Sequence, residues 1–311
     1  MIEVQRLSRS YGDLKAVDDV SFDIGRSEVV GLLGHNGAGK TTVMKMLTGY
    51  LEPSAGDIRI EGLDIREQRR EVQQHIGYLP ENCPLYPEMT VIDYLEYQAA
   101  LHGVPEPDRP AAIRATIERT DLVPKADHVI ATLSRGYRQR VGVAQAILHK
   151  PTVLILDEPT NGLDPSQIQH MRTLIRELAE GATLIISTHI LQEVEATCDR
   201  VLIMRAGRLA LDSDLAVLSS PSRLLVSLGQ APGEATPLLL NLDPVTGVEH
   251  LGTMDGRYRY ALDTADPGGT APLVARSVGT AGWDLYGLQP EVRDLETLFG
   301  AINEQQETAH A

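Results

Sequence analysis

The run Gly34-His35-Asn36-Gly37-Ala38-Gly39-Lys40-Thr41-Thr42 sets two glycines five apart and follows the second with a lysine and two hydroxyls. This spacing suits phosphate. Glycine lets the backbone N–H groups of residues 34–39 curl around an anion, and Lys40 can reach β- and γ-phosphates. The Thr41 hydroxyl is a hard oxygen of the kind Mg²⁺ takes while it keeps several waters, and Thr42 can donate to a phosphate oxygen. A helix starting just after the loop would add partial positive charge at its first turn. A flexible surface loop is the bland alternative.

Two further places carry groups able to break a phosphate bond. Val153-Leu154-Ile155-Leu156 runs into Asp157-Glu158, and a buried strand carries acids only at its carboxyl end. There Asp157 could hold the metal through water, and Glu158, pointing differently, could take a proton from an attacking water. An apolar strand ending in acids also has innocent explanations. Thr183 to Ser187 is a second apolar run and ends in Thr188-His189. A histidine at a strand end is commonly structural, unless a phosphate site lies at the same sheet edge.

These residues need a parallel sheet to bring them together. Up to about residue 219, short β-rich runs alternate with helical patterns, which predicts an α/β domain with a mainly parallel central sheet. Strands are expected at Ser27–Leu33, Thr152–Leu156, Thr183–Ser187 and Arg200–Met204, with helices from Val43, Ser166 and Leu191. From about 84 to 150 the β signals fade and apolar residues such as Val91, Tyr94, Leu95 and Ala99 recur at helical spacing, which predicts a helical subdomain. Ser219 to Ser222 reads as a linker. A small α+β domain is expected over 222–303, before a tail at 304–311. Its predicted order is strand Leu224–Leu228, helix Glu234–Leu242, a hairpin of Val248–Thr253 and Arg257–Leu262, helix Ala271–Val278, strand Trp283–Leu288 and a closing helix Pro290–Asn303. That order is ferredoxin-like.

With these motifs in place, the first 220 or so residues resemble the ABC ATPase family, a P-loop NTPase fold. Leu133-Ser134-Arg135-Gly136-Tyr137 resembles its signature, and Asn161-Gly162-Leu163-Asp164-Pro165 its D-loop. The resemblance implies that Ser134 and Gly136 contact the γ-phosphate held by a second copy, that Asp164 couples the two sites, and that Tyr11 lies against adenine. It also implies that ATP and Mg²⁺ are the ligands and that His189 is a switch histidine. Glu81 stands where the family usually has a glutamine that binds magnesium; a carboxylate is an acceptable hard ligand but adds negative charge. Arg135 and Tyr137 replace the commonest Gly and Gln. Gly77 to Glu81, Pro84-Leu85-Tyr86-Pro87, the signature and Asp294 to Phe299 are similar to exporters with separate permeases, including gliding-motility and copper-site-maturation types.

Composition narrows the partners. Of the 311 residues, 42% are hydrophobic and 23% charged, as in ordinary soluble proteins. The apolar runs are strand-sized, well below the roughly 20 residues that cross a bilayer. The start lacks a secretory core, and Cys83 and Cys198 are the two cysteines, so a cytoplasmic place on the inner membrane face, through a permease, is expected. A formal charge of -15 disfavours nucleic acid and otherwise serves solubility. The reading is therefore an exporter ATPase, paired with a second copy and a membrane permease. Its rivals are an importer ATPase with a regulatory C-terminal domain, a soluble ATPase acting on nucleic acid, and a nucleotide sensor without catalysis.

Overall fold

A computed structural model describes residues 1–218 and 223–291 together with Leu295, Phe299 and Gly300. The chain divides into two units, Met1–Leu215 and Ala216–Ala311. In chain order the first contains β1 (Ile2–Tyr11), β2 (Leu14–Ile24), β3 (Val29–Leu33), α1 (Lys40–Leu47), β4 (Ala55–Ile60), β5 (Leu63–Asp64), α2 (Arg69–Gln74) and β6 (Ile76–Leu79). It continues with α3 (Val91–Leu101), α4 (Arg109–Arg119), α5 (Arg135–Ile147), β7 (Val153–Asp157), α6 (Pro165–Ala179), β8 (Thr183–Thr188), α7 (Leu191–Thr197), β9 (Arg200–Arg205) and β10 (Arg208–Asp214).

The central sheet has the order β10-β9-β3-β8-β7-β6 and is parallel except for β10. Because strand side chains alternate in direction, each buried strand feeds two cores. Val30, Leu32, Ile155 and Ile185 pack with Val43, Met44 and Leu47 of α1, whereas Leu154, Leu156, Leu184 and Ile186 pack with Met171, Leu174 and Ile175 of α6. The first core is shared with an antiparallel sheet, β2-β1-β4-β5, which the sequence reading did not separate from the parallel one. The third core joins α3, α4 and α5 through Tyr94, Leu95, Ile113, Ile117, Val141 and Ala144, as the helical spacing predicted. The strand expected from Ser27 begins at Val29 instead. Ser27 has φ of +57° and donates its N–H to the Thr183 hydroxyl at 3.0 Å, which is turn geometry.

Beyond the four-residue helix α8 (Leu215–Leu218), the second unit contains β11 (Arg223–Leu228), α9 (Pro232–Leu240), β12 (Gly247–Met254), β13 (Arg257–Asp263), α10 (Pro267–Thr280) and β14 (Leu285–Pro290). Its antiparallel sheet has the order β12-β13-β11-β14, with each βαβ split by a strand from the other half, so the fold is ferredoxin-like. Ala235, Leu239, Val274 and Val278 pack on Leu224, Val226, Tyr260 and Leu262. Trp283 lies before β14 and packs against this core instead of opening the strand. Pro290 pairs with Leu224 as the last residue of β14, so it closes an edge strand and does not open the closing helix. Of that helix, Leu295, Phe299 and Gly300 are helical and Glu291 is not, while residues 292–294, 296–298 and 301–303 lie outside the described residues, like the linker Ser219–Ser222 and the tail.

Candidate phosphate and hydrolysis site

The loop 34–39 joins the end of β3 to the start of α1, at the carboxyl edge of the parallel sheet where α/β folds bind ligands. Gly34 and Gly39 are forced by their neighbours. A Cβ at Gly34 would stand 2.5 Å from the Met204 carbonyl oxygen, and one at Gly39, where φ is +104°, would stand 2.6 Å from that of Ala16. Asn36 and Gly37 are exposed at the tip, Ala38 is buried, and Thr41 and Thr42 are half-buried in the first turn of α1. Lys40 is buried and donates to the Gly34 and His35 carbonyl oxygens at 2.6 and 3.4 Å. Burial holds its pKa below the usual lysine value, while the carboxylates of Glu158, Asp157 and Glu81 act in the opposite direction.

The acids meet this lysine from β7. Glu158 Oε1 is 3.9 Å from Lys40 Nζ. Glu158 adopts φ of +50°, unusual for a side chain larger than glycine and costly enough to persist where the surroundings impose it. Its N–H donates to the Ser187 carbonyl oxygen at 3.0 Å, which fixes the turn. His189 Nδ1 lies 3.0 and 2.9 Å from the two oxygens of Glu158. With Nδ1–H held by that carboxylate, a neutral ring presents Nε2 as an acceptor. Such an acceptor suits a water proton, and the protonated ring alone would donate to a phosphate oxygen.

Asp157 is buried at 1% exposure. Its Oδ1 accepts from the Ser187 hydroxyl, and Ser187 is its register partner across β7 and β8. Its Oδ2 is buried without a hydrogen-bond partner. Leaving a buried carboxylate oxygen unsatisfied costs more than about 1–3 kcal/mol, so a cation is the fitting partner. The Thr41 hydroxyl and Glu81, singled out with Asp157 in the sequence, are hard oxygens of the kind Mg²⁺ takes, although among the described residues no group of three or more His, Cys, Asp or Glu side chains is gathered for a metal. Glu81 is exposed just after β6, and its Oε1 accepts from Asn161 Nδ2 at 3.5 Å.

Ser134, Gly136 and Asp164 form a second group at the starts of α5 and α6. Ser134 caps α5 by accepting from Tyr137 N, and Asp164 caps α6 by accepting from Gln167 N at 2.9 Å while Gln167 Oε1 accepts from Asp164 N at 3.3 Å. A Cβ at Gly136 would stand 2.6 Å from that same Gln167 amide. Tyr11 ends β1, half-exposed, with the Arg9 guanidinium 4.9 Å from its ring centre. Two residues of these networks, Ser187 and Gln167, escaped the sequence reading, and Asn161 entered it only as the first residue of the 161–165 motif. A polar residue inside the apolar run Leu184–Thr188 was the one available signal, for Ser187. A cleft of about 950 Å³ also opens beside β6, α3 and α5, lined by Tyr50, Tyr78, Tyr86, Tyr94 and Tyr97 with Lys45 at its edge.

Comparison with known proteins gives this geometry a family context. The family model described as ABC transporter matches residues 17–161, and one described as AAA domain, putative AbiEii toxin, Type IV TA system matches 129–195. The chain is 36% identical over 217 residues to the uncharacterized ABC transporter ATP-binding protein YdbJ of Bacillus subtilis, covering 69% of this chain and 70% of that protein. It is 38% identical over 211 residues to the bacitracin transport ATP-binding protein BcrA of Bacillus licheniformis, covering 67% and 68%. A solved structure of the ATP binding subunit of an ABC transporter superposes with a TM-score of 0.65 at 32% identity, covering 70% of this chain and 91% of the other.

Proposed function

The chain belongs to the ABC transporter ATP-binding proteins and is an ATP-hydrolysing subunit, and on that premise we propose that two copies close around ATP to drive a separate permease of the exporter type. Among the described residues no helix is long and apolar enough to cross a membrane. Glu81 and the Tyr137 signature support the exporter direction. The second unit supports docking or dimerisation.

In this reading the amides of 34–39 and Lys40 grip the β- and γ-phosphates, Thr42 donates to a phosphate oxygen, and Tyr11 faces the adenine. Thr41, Asp157 and Glu81 would hold Mg²⁺, which when bound neutralises phosphate charge and favours loss of the γ-phosphoryl group. Glu158 accepts a proton from the attacking water, and His189 orients that water through Nε2 while Glu158 fixes its ring. Ser134 and Gly136 of the second copy close over the γ-phosphate, and Asp164 lies at that seam. Because the diphosphate lacks the group that both copies touch, closure is favoured with ATP and lost after hydrolysis.

The Lys40–Glu158–His189 cluster beside the unpartnered Asp157 oxygen carries this reading. Purified protein should release phosphate from ATP. Glu158→Gln should lower that rate by about a hundred- to ten-thousand-fold while ATP binding persists and a closed dimer accumulates in size-exclusion chromatography. Unchanged turnover would remove Glu158 from its role. The ferredoxin-like unit favours a second reading, an importer with a regulatory domain, and the direction of cargo movement in vesicles holding the permease decides between the two.

A further inference from the structure

The side chain of Arg135 lies on the backbone of Gly162. A Cβ at Gly162, where φ is +70°, would stand 2.2 Å from Arg135 Cζ and 2.3 Å from Nη1. The planar guanidinium therefore occupies the space that any side chain at 162 would need. Arg135 is otherwise exposed, and its contact with Gly162 is one of packing. The contact is matched by a reciprocal one a turn away. The Gln167 amide fills the space beside Gly136, where a Cβ would stand 2.6 Å from its Cδ and Nε2, and the same amide closes the cap on Asp164. Each segment thus sends one long side chain onto a glycine of the other. Asn161, at the near end, is tied to Glu81 at 3.5 Å.

From this interlock we propose that Arg135 is a positioning residue that locks residues 161–165 to the start of α5, so that Ser134 and Asp164 meet a second copy as one preformed surface. The proposal rests on the two-copy reading above and adds a residue that the family's commonest signature lacks. Arg135 touches neither the phosphate loop nor Glu158 of its own chain. Its loss should leave nucleotide binding by a single copy intact and should impair the closing step, because a loosened 161–165 segment must be ordered at each closure.

Arg135→Gly and Arg135→Ala would be compared with wild type and with Arg135→Lys. The readouts are melting temperature, affinity of dilute protein for a fluorescent ATP analogue, the ATP dependence of phosphate release, and the ATP concentration that drives dimerisation in the Glu158→Gln background. The Gly and Ala variants should keep wild-type melting and analogue affinity, while the ATP needed for half-maximal turnover and for dimerisation rises about tenfold, the scale expected when supporting geometry is lost. Lys should not restore it, since a flexible ammonium cannot pack as a plane on Gly162. Unchanged ATP dependence in the Gly and Ala variants would overturn the lock. Full rescue by Lys would also overturn it, in favour of a charge acting on the partner, and so would weakened analogue binding by dilute protein. A wild-type chain that hydrolyses no ATP would instead sink the two-copy reading itself.

Discussion

A methyl group at Gly39 would sit 2.6 Å from the Ala16 carbonyl oxygen, on a backbone whose φ of +104° already excludes ordinary side chains. Gly39→Ala must therefore displace the loop or β2, at a cost on the order of 1–3 kcal/mol. Calorimetric titration should show ATP affinity reduced about tenfold or more, the equivalent of 1.4 kcal/mol. An affinity equal to wild type would mean that the loop does not hold the phosphates in this form. At this scale much of the site was legible beforehand. Gly34, Gly39, Lys40, Asp157 and Glu158 announce themselves by spacing along the chain or by a strand's end. Ser187 and Gln167 do not, because their meaning lies in partners far away in sequence: Asp157 through sheet register, and Gly136 through helix packing.

Among the elements, α5 and β6 meet so closely that a Cβ at Gly77 would stand 2.0 Å from the Ala146 carbonyl oxygen. At the end of this contact His149 bonds the Ile76 carbonyl at 3.1 Å and stacks on His102, which caps α3, with ring centres 4.0 Å apart. Burial, and then the neighbouring His102, lower the His149 pKa to about 4; burial lowers that of His102 as well. Both rings are therefore folded in neutral form. Between pH 6.5 and about 4 the unfolded chain binds the extra protons, so stability rises with pH in that window and is lost on acidification. His149→Phe keeps a flat ring without a titrating group. Melting curves from pH 6.5 down to 5 should fall less steeply for the variant, by up to about one proton's contribution, and parallel curves would remove His149 from this effect. The helical subdomain was legible from apolar spacing, whereas the antiparallel sheet was not. Its strands β1 and β2 carry register shifts, and β1 pairs with β4 some fifty residues away, so no local pattern separates it from the parallel sheet.

At the scale of the whole molecule, a chain of 311 residues and formal charge -15 divides into a phosphate-handling unit and a ferredoxin-like one. The strand order of the second was legible, because each of its elements is short and marked by its own turn; Asp255-Gly256, for example, sits between β12 and β13. What Trp283 and Pro290 do was not, since both stand at element boundaries where packing decides. In the first unit, Arg135 and Gly136 pack against Gly162 and Gln167 of their own chain, whereas Lys40 stands with Glu158. A consequence reaches to populations of molecules. If every working centre draws its lysine from one polypeptide and its serine from another, two crippled proteins can heal each other. In a mixed pair of Lys40→Ala with Ser134→Ala, both injuries fall in one centre and the other is left whole, so such pairs should recover about half the native rate when the centres act independently. Mixtures no more active than either parent would show that each molecule works with its own serine.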